Sequence, residues 1–279
     1  MYLSGSVGYT LLKHKHMDKF ILLLADIHDG VSYCLQDSMM IDKFLSINDN
    51  NDILLEEAVR ETFDLKDLWP GAEHTQRLKK LNRTNKKIKP VDIRPLLIKF
   101  SWELLESAND NDKHNNMTLE EYLSLIDDIF NFKNNKLMRK YFIPEIKKLD
   151  NVNIKIKELI LQHYDEMRKL YFDFIKENKL YLNKPIIELY KNKKNELEEI
   201  NNITSMIMEW YILLLILNSN TNCILHLGLA HSNRILDFLL DVYSFNVIKK
   251  SGINMIEEIN SNEPAACLMV PDEVNNKFK

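Results

Sequence analysis

Three runs of uninterrupted apolar residues, each ending abruptly in a polar cluster, set the reading of this chain. Phe20-Ile21-Leu22-Leu23-Leu24-Ala25 runs into Asp26-Ile27-His28-Asp29-Gly30. Asp52-Ile53-Leu54-Leu55 ends in Glu56-Glu57, and Cys223-Ile224-Leu225-His226-Leu227-Gly228 breaks into Ala230-His231-Ser232. Short apolar runs that do not alternate predict strands covered on both faces, as in a mostly parallel sheet. A fourth candidate strand is Lys89 to Arg94. Pro90 cannot donate to a ladder, so it places this segment at an edge or a strand start.

Helical spacing fills the gaps. Cys34, Leu35, Met39, Ile41 and Phe44 predict a helix over Val31 to Leu45, and so a strand–helix–strand unit from Phe20 to Leu55. Ile235, Leu236, Leu239, Leu240 and Tyr243 form one stripe, predicting a helix from His231 to Tyr243 that leads to a strand at Phe245–Ile248. Connections between parallel strands are expected to be right-handed. From Pro95 to Asn218 the chain reads as almost wholly helical. Leu159, Ile160, Tyr164, Met167, Leu170, Tyr171 and Phe174 form one stripe, and Leu197, Ile200, Ile203, Ile207, Trp210 and Leu214 another. Asn183-Lys184-Pro185 breaks the chain between them, which predicts an antiparallel hairpin with Trp210 and Leu214 buried. Asn109 to Asn116 is polar throughout and reads as a surface loop. The expected fold class is α/β: a central, mostly parallel sheet flanked by helices. It forms a single domain over 1–279, with 95–218 as a mainly helical insertion or cap.

Apolar residues make up 45% of the 279 and charged residues 28%, an ordinary globular composition. A formal net charge of −4 offers no basic field for nucleic acid, and the short lysine runs read as solvated faces. The most apolar run, Trp210 to Leu217, is too short to cross a bilayer. Cys34, Cys223 and Cys267 are widely spaced and odd in number. With no signal-peptide core at the N-terminus, they point to a reducing, cytoplasmic setting. The expected partners are a small-molecule or peptide substrate and, through the helical region, another protein.

The chemistry-bearing residues stand at strand ends, where open α/β sheets place ligands. Asp26 and His28, two apart on an extended segment, project to one side and could position a proton acceptor or offer two metal ligands. The structural alternative makes Asp26 a helix cap and His28 a turn residue. Glu56 and Glu57 either meet a polar crevice or open a helix from Ala58 to Phe63. Asp92 and Arg94 again share a side, with Arg94 held extended by Pro95. They suit either an oxyanion or a structural ion pair. His226, inside a strand, reads as a satisfied core histidine, whereas His231, just past the strand, is placed to reach a ligand. His74 reads as part of a loop with Trp69-Pro70-Gly71 that could close over the site. His14 and His16 have no carboxylate near them in sequence and look incidental. No P-loop, HExxH or GxSxG motif is present.

The order of these motifs resembles the superfamily of the erythromycin esterases, the ChaN-like haem-associated proteins and the TraB/TIKI proteins. Its members carry Gly-Glu-x-His after a first strand, Glu after a second, Asp-x-Arg later, and Gly-x-x-His before a C-terminal amphipathic helix. Ala25-Asp26-Ile27-His28, Leu55-Glu56-Glu57, Val91-Asp92-Ile93-Arg94 and Gly228-Leu229-Ala230-His231 stand at those places. Ala25 and Asp26 replace the family's Gly and Glu, and the shorter carboxylate retracts its oxygens by ~1.5 Å. The resemblance implies hydrolysis of an ester or amide, in some branches with a divalent metal. Asp26, His28, Glu56, Arg94 and His231 would be the catalytic residues, and His28, His231 and Glu56 the metal ligands. A non-catalytic relative, acting as a binding or assembly protein, is the rival reading, favoured by the change from Gly-Glu to Ala-Asp.

Overall fold

The first apolar run forms β3 (Phe20–Asp26), buried at every position. The third forms β8 (Cys223–Gly228), also wholly buried. The second opens β6 (Asp52–Ala58), whose Ile53, Leu54 and Leu55 are buried. The computed structural model describes residues 1–28, 30–59, 72–98, 116–133, 135–151, 154–192, 194–260 and 263–279. Its contacts divide the chain into two compact units, Met1–Asp92 with Ser219–Lys279, and Ile93–Asn218.

In the first unit a six-stranded sheet has the order β7-β6-β8-β3-β2-β9, with β2 at Gly8–His14, β7 at Ile88–Asp92 and β9 at Phe245–Gly252. The pairs β7–β6, β6–β8 and β8–β3 are parallel, while β2 runs antiparallel to both β3 and β9. The three expected strands are therefore neighbours, and Pro90 lies on an edge strand. β9 is the strand expected after the last helix, but β3 and β2 separate it from β8. A four-stranded sheet, β4-β10-β1-β5, joins β1 (Tyr2–Ser4), β4 (Ser32–Tyr33), β5 (Met39–Met40) and β10 (Ala265–Met269). It replaces most of the helix expected over Val31 to Leu45. Only α1 (Ile41–Ile47) is helical there, because the two-residue strands before it are set by pairing with distant β1 and β10.

Alternate residues of the strands face a single core. Tyr9, Leu11, Leu22, Leu24, Ile53, Leu55 and Ile224 pack with Ile41, Phe44 and Leu45 of α1, and with Leu78 of α2 (Glu73–Thr84). Each fully buried side chain of this kind contributes about 1.5–3 kcal/mol. The intervening Ile21, Leu23, Leu54 and Leu225 are buried as well, which is why the runs do not alternate.

Parallel pairing of β4 with β10 matches Ala266 to Tyr33, and one residue further on Cys34 and Cys267 form a disulfide. This corrects the reading of three separate thiols: only Cys223, buried, remains free. A structural disulfide weighs against the cytoplasmic setting, since such bonds persist in oxidising compartments.

The second unit is mainly helical among its described residues: α3 (Arg94–Leu97), α4 (Leu119–Phe130), a π-helical turn leading to α5 (Ile143–Lys148), α6 (Ile154–Glu177), α7 (Ile186–Asn192) and α8 (Lys194–Asn218). Trp210 is fully buried, stacks on Phe142 and donates Nε1–H to the Ile160 carbonyl at 2.9 Å. Leu214 is fully buried too. Residues Glu198–Asn218 are long and apolar enough to span a membrane, yet 72% of the apolar window is buried inside the protein, as in a core helix. The chain returns to the first unit for α9 (Leu229–Asp241) and α10 (Asp272–Asn275). The expected helix beyond Val59, the segment Trp69-Pro70-Gly71 and the polar loop over 109–115 lie outside the described residues.

Candidate active site

Parallel strands bring their C-terminal ends to one sheet edge. In register, Asp26 pairs with Gly228 across β3 and β8, and Leu55 pairs with His226 across β6 and β8. Asp26, Glu56 and the start of α9 therefore meet on adjacent strands, ~4.8 Å apart.

Asp26 sits at the centre of the cluster, its side chain 1% exposed. Oδ2 lies 2.8 Å from His28 Nδ1, and Oδ1 lies 2.7 Å from His74 Nε2. Burial alone would raise its pKa. The two histidine hydrogen bonds, and the fields of His226 and His28, outweigh burial and hold it well below the usual carboxylate range. His28 shows the reverse balance. Burial lowers its pKa, but the Asp26 hydrogen bond and the fields of Asp26, Glu56 and Glu57 lift it to about 9. Its side chain is 47% exposed, so the ring is accessible to a ligand.

Glu56 forms the second pair. Oε2 accepts the Gly228 N–H at 2.6 Å, placing the carboxylate at the positive end of α9. Oε1 stands 3.4 Å from His231 Nε2 and 4.0 Å from His28 Nε2. The ladder to β7 slips by one residue between Leu55 and Ala58, a bulge that contains both glutamates and re-aims them. Burial pushes the Glu57 carboxyl up to about 8, with Lys79 and His28 opposing the rise and Asp92 and Glu56 adding to it. Gly228 is needed for closeness rather than for its backbone angle. A Cβ there would stand 2.9 Å from His28 Nε2 and 3.2 Å from Glu56 Oε2.

Four of the five residues singled out from sequence, Asp26, His28, Glu56 and His231, thus converge. Arg94, the fifth, belongs to the second unit. It opens α3 in the helical unit, and Pro95 follows it inside the first turn, where the missing N–H costs nothing. The extended conformation expected of Arg94 does not form. His226 is the satisfied core histidine its position suggested, 2% exposed with Nε2 3.1 Å from the Gly5 carbonyl. His14 is not incidental, since its Nδ1 accepts the backbone N–H groups of His16 and Met17 and closes a turn. His74, expected in a loop able to close over the site, lies instead in the first turn of α2, fully buried, and 48 residues separate it from the carboxylate it binds. Nothing local in sequence marks that partnership.

A divalent metal on His28, Glu56 and His231 would need the lone pairs of both Nε2 atoms. His231 Nδ1 lies 3.1 Å from Arg234 Nη2. A guanidinium only donates, so Nδ1 accepts and Nε2 carries the hydrogen, pointed at Glu56. Metal-bound histidines instead donate from the other nitrogen to an acceptor. As oriented, His231 does not fit the ligand set that the resemblance implies. Among the described residues no group of three or more His, Cys, Asp or Glu side chains is arranged to hold a metal ion. Compared with protein-family models, with curated proteins and with solved structures, the chain finds no match in any of the three.

Proposed function

We propose that this sheet edge is the active site of a hydrolase that cleaves an ester or amide bond, with water as the nucleophile. The observation that carries the reading is the meeting of two carboxylate–histidine pairs at one atom: Glu56 Oε1 faces His231 Nε2 at 3.4 Å and His28 Nε2 at 4.0 Å. A histidine with a pKa near 9 is protonated at neutral pH, so His28 serves as an acid rather than the base its motif suggested. Its Nε2–H donates to the substrate carbonyl oxygen. Glu56 Oε1 takes a proton from water as the water oxygen bonds to the carbonyl carbon. The tetrahedral intermediate then collapses: the bond to the leaving oxygen or nitrogen breaks, and that atom takes the His28 proton. Glu56 returns its proton to His28, restoring the starting state. Asp26 holds the His28 ring in place and balances its charge. His231, pinned by Arg234, keeps Glu56 turned toward the site. No step is routed through Arg94 or a metal.

The test is hydrolysis of a panel of p-nitrophenyl esters and p-nitroanilides by the wild type and by Glu56→Gln. Loss of a general base lowers turnover by about 10²–10⁴-fold. A folded wild type inert toward the whole panel would leave the rival reading, a binding protein that retains the cluster.

A further inference from the structure

Asp26 carries two histidines, and only one of them reaches the accessible edge. The other, His74, is fully buried, and each of its ring nitrogens has a defined neighbour. Nε2 is 2.7 Å from Asp26 Oδ1, and Nδ1 is 3.0 Å from the Tyr33 hydroxyl. That hydroxyl oxygen also accepts the His74 backbone N–H at 3.1 Å, which leaves its own hydrogen to point at Nδ1. Nδ1 then accepts, and Nε2–H donates to Asp26. Room for the ring depends on Gly5, at a φ of +101°, where a Cβ would stand 2.9 Å from the His74 Cβ.

The same helical turn also grips His28 itself. The Ala72 N–H donates to the His28 carbonyl at 2.9 Å, and Thr75 Oγ1 donates to the same oxygen at 3.3 Å. Tyr33, which sets the His74 ring, is held in turn by the Cys34–Cys267 disulfide one residue further on. Strand end, helix start and disulfide therefore meet around one carboxylate.

We propose that His74 is a positioning residue: set by Tyr33, it fixes the Asp26 carboxylate so that the His28 ring presents Nε2 to the site. This rests on the hydrolase reading for its kinetic consequence, but not for its structural one. A carboxylate bound by a single histidine can rotate about its Cα–Cβ and Cβ–Cγ bonds. With its second oxygen tied to His74, one rotamer remains, and the His28 ring is aimed through it. Displacement of about 1 Å at a reacting group costs about 10²-fold in rate, and loss of a supporting hydrogen bond about 10–100-fold.

Three variants and one spectrum test this. His74→Leu removes the donor; His74→Gln supplies an amide N–H at nearly the same reach; Tyr33→Phe leaves the ring but removes the group that sets it. Nitrogen-15 spectra of the wild-type imidazoles are expected to show His74 protonated on Nε2 and bare on Nδ1. The Nδ1–H signal of His28, strongly downfield through its bond to Asp26, should move or broaden in His74→Leu and return in His74→Gln. Turnover should fall about 10–100-fold in His74→Leu with KM within about twofold, and His74→Gln should recover most of it. Equal behaviour of the Leu and Gln variants would overturn the proposal. So would a wild-type His74 carrying its hydrogen on Nδ1, a result that stands even if His74→Leu fails to fold. An unchanged His28 signal in Tyr33→Phe, with the His74 tautomer also unchanged, removes Tyr33 from the arrangement. If no variant hydrolyses anything while the spectra behave as stated, the hydrolase reading fails and the positioning stands.

Discussion

The two ends of the parallel strands are built from similar residue types and do different things. At the N-terminal end Asp52 binds Lys89 Nζ at 2.6 Å, the Ser219 hydroxyl and the Thr221 hydroxyl. Lys19 donates to the Ser219 carbonyl, and the Asn222 side chain accepts the Phe20 N–H and donates to the Lys277 carbonyl. The partners there are lysines, hydroxyls, backbone groups and an asparagine amide rather than histidines. At the C-terminal end the partners of Asp26 and Glu56 include histidines, and two groups, His28 and Glu57, are moved to between about 8 and 9. A hydrogen-bonded carboxylate at a strand end is not in itself a sign of chemistry. What it is tied to decides.

That contrast can be broken most sharply at His28. His28→Ala should lower hydrolysis by about 10²–10⁴-fold. The same change also costs stability at neutral pH, where the Asp26-bound imidazolium favours the native state, so the rate is read per folded molecule. Turnover per folded molecule unchanged by His28→Ala would reverse the assignment of the two ends. The next largest effect is expected at the covalent tie beside Tyr33. Cys34→Ser with Cys267→Ser should cost about 2–4 kcal/mol of stability, read by denaturant titration with and without a thiol reductant. The wild type should respond to the reductant and the double variant should not.

Asp52→Ala, at the other end, should cost about 0.5–1.5 kcal/mol through the hydrogen bonds it loses, with turnover per folded molecule unchanged. Partial burial raises the pKa of its carboxyl, but hydrogen bonds from Lys89 and Ser219 outweigh this and lower it. The stability it contributes is therefore present above the unfolded value and is lost as the pH falls through the folded one. The most discriminating effect is on the alkaline side. His28 is raised from 6.5 to about 9 and Glu57 from 4.5 to about 8, so the native state binds more protons than the unfolded chain across those intervals. Stability should decline as the pH rises from about 5 to 9, and hydrolysis should fall as His28 loses its proton near 9. Glu57→Gln should flatten the lower part of that decline and His28→Gln the upper part. A flat stability profile in the wild type would refute both shifts.

The difference between the two ends also governs what could be read from sequence. β3, β6 and β8 were legible because burial on both faces leaves an unbroken apolar run, and their adjacency follows from the parallel pattern. Asp26, His28, Glu56 and His231 were legible as the polar residues that interrupt those runs. β1 and β2 were not, since β1 is three residues long and the alternation of Val7, Tyr9 and Leu11 into β2 is short and broken by the Leu11-Leu12 pair. β4 and β5, two residues each, exist only through pairing with β1 and β10. The disulfide closes over 233 positions, and the bond between His74 and Asp26 over 48. Such partnerships are created by tertiary structure and leave no local trace. Arg94 illustrates a local expectation that the fold answers differently: the residue before Pro95 opens a helix instead of extending a strand.

The position of the helical unit within the chain has a consequence for synthesis. β8 lies between β6 and β3 in the sheet, yet it follows both in sequence, with the whole of 93–218 intervening. As the chain emerges from the ribosome, β2–β3 and β6–β7 can each pair, but the two pieces share no ladder until Cys223 appears. At ordinary elongation rates that wait is on the order of ten seconds. Throughout it the inward edges of β3 and β6 carry unpaired backbone and uncovered leucines, a surface suited to chaperones or to aggregation. A nascent chain stalled before Ser219 should therefore be protease-sensitive in β3 and β6, and one stalled well beyond Gly228 should not.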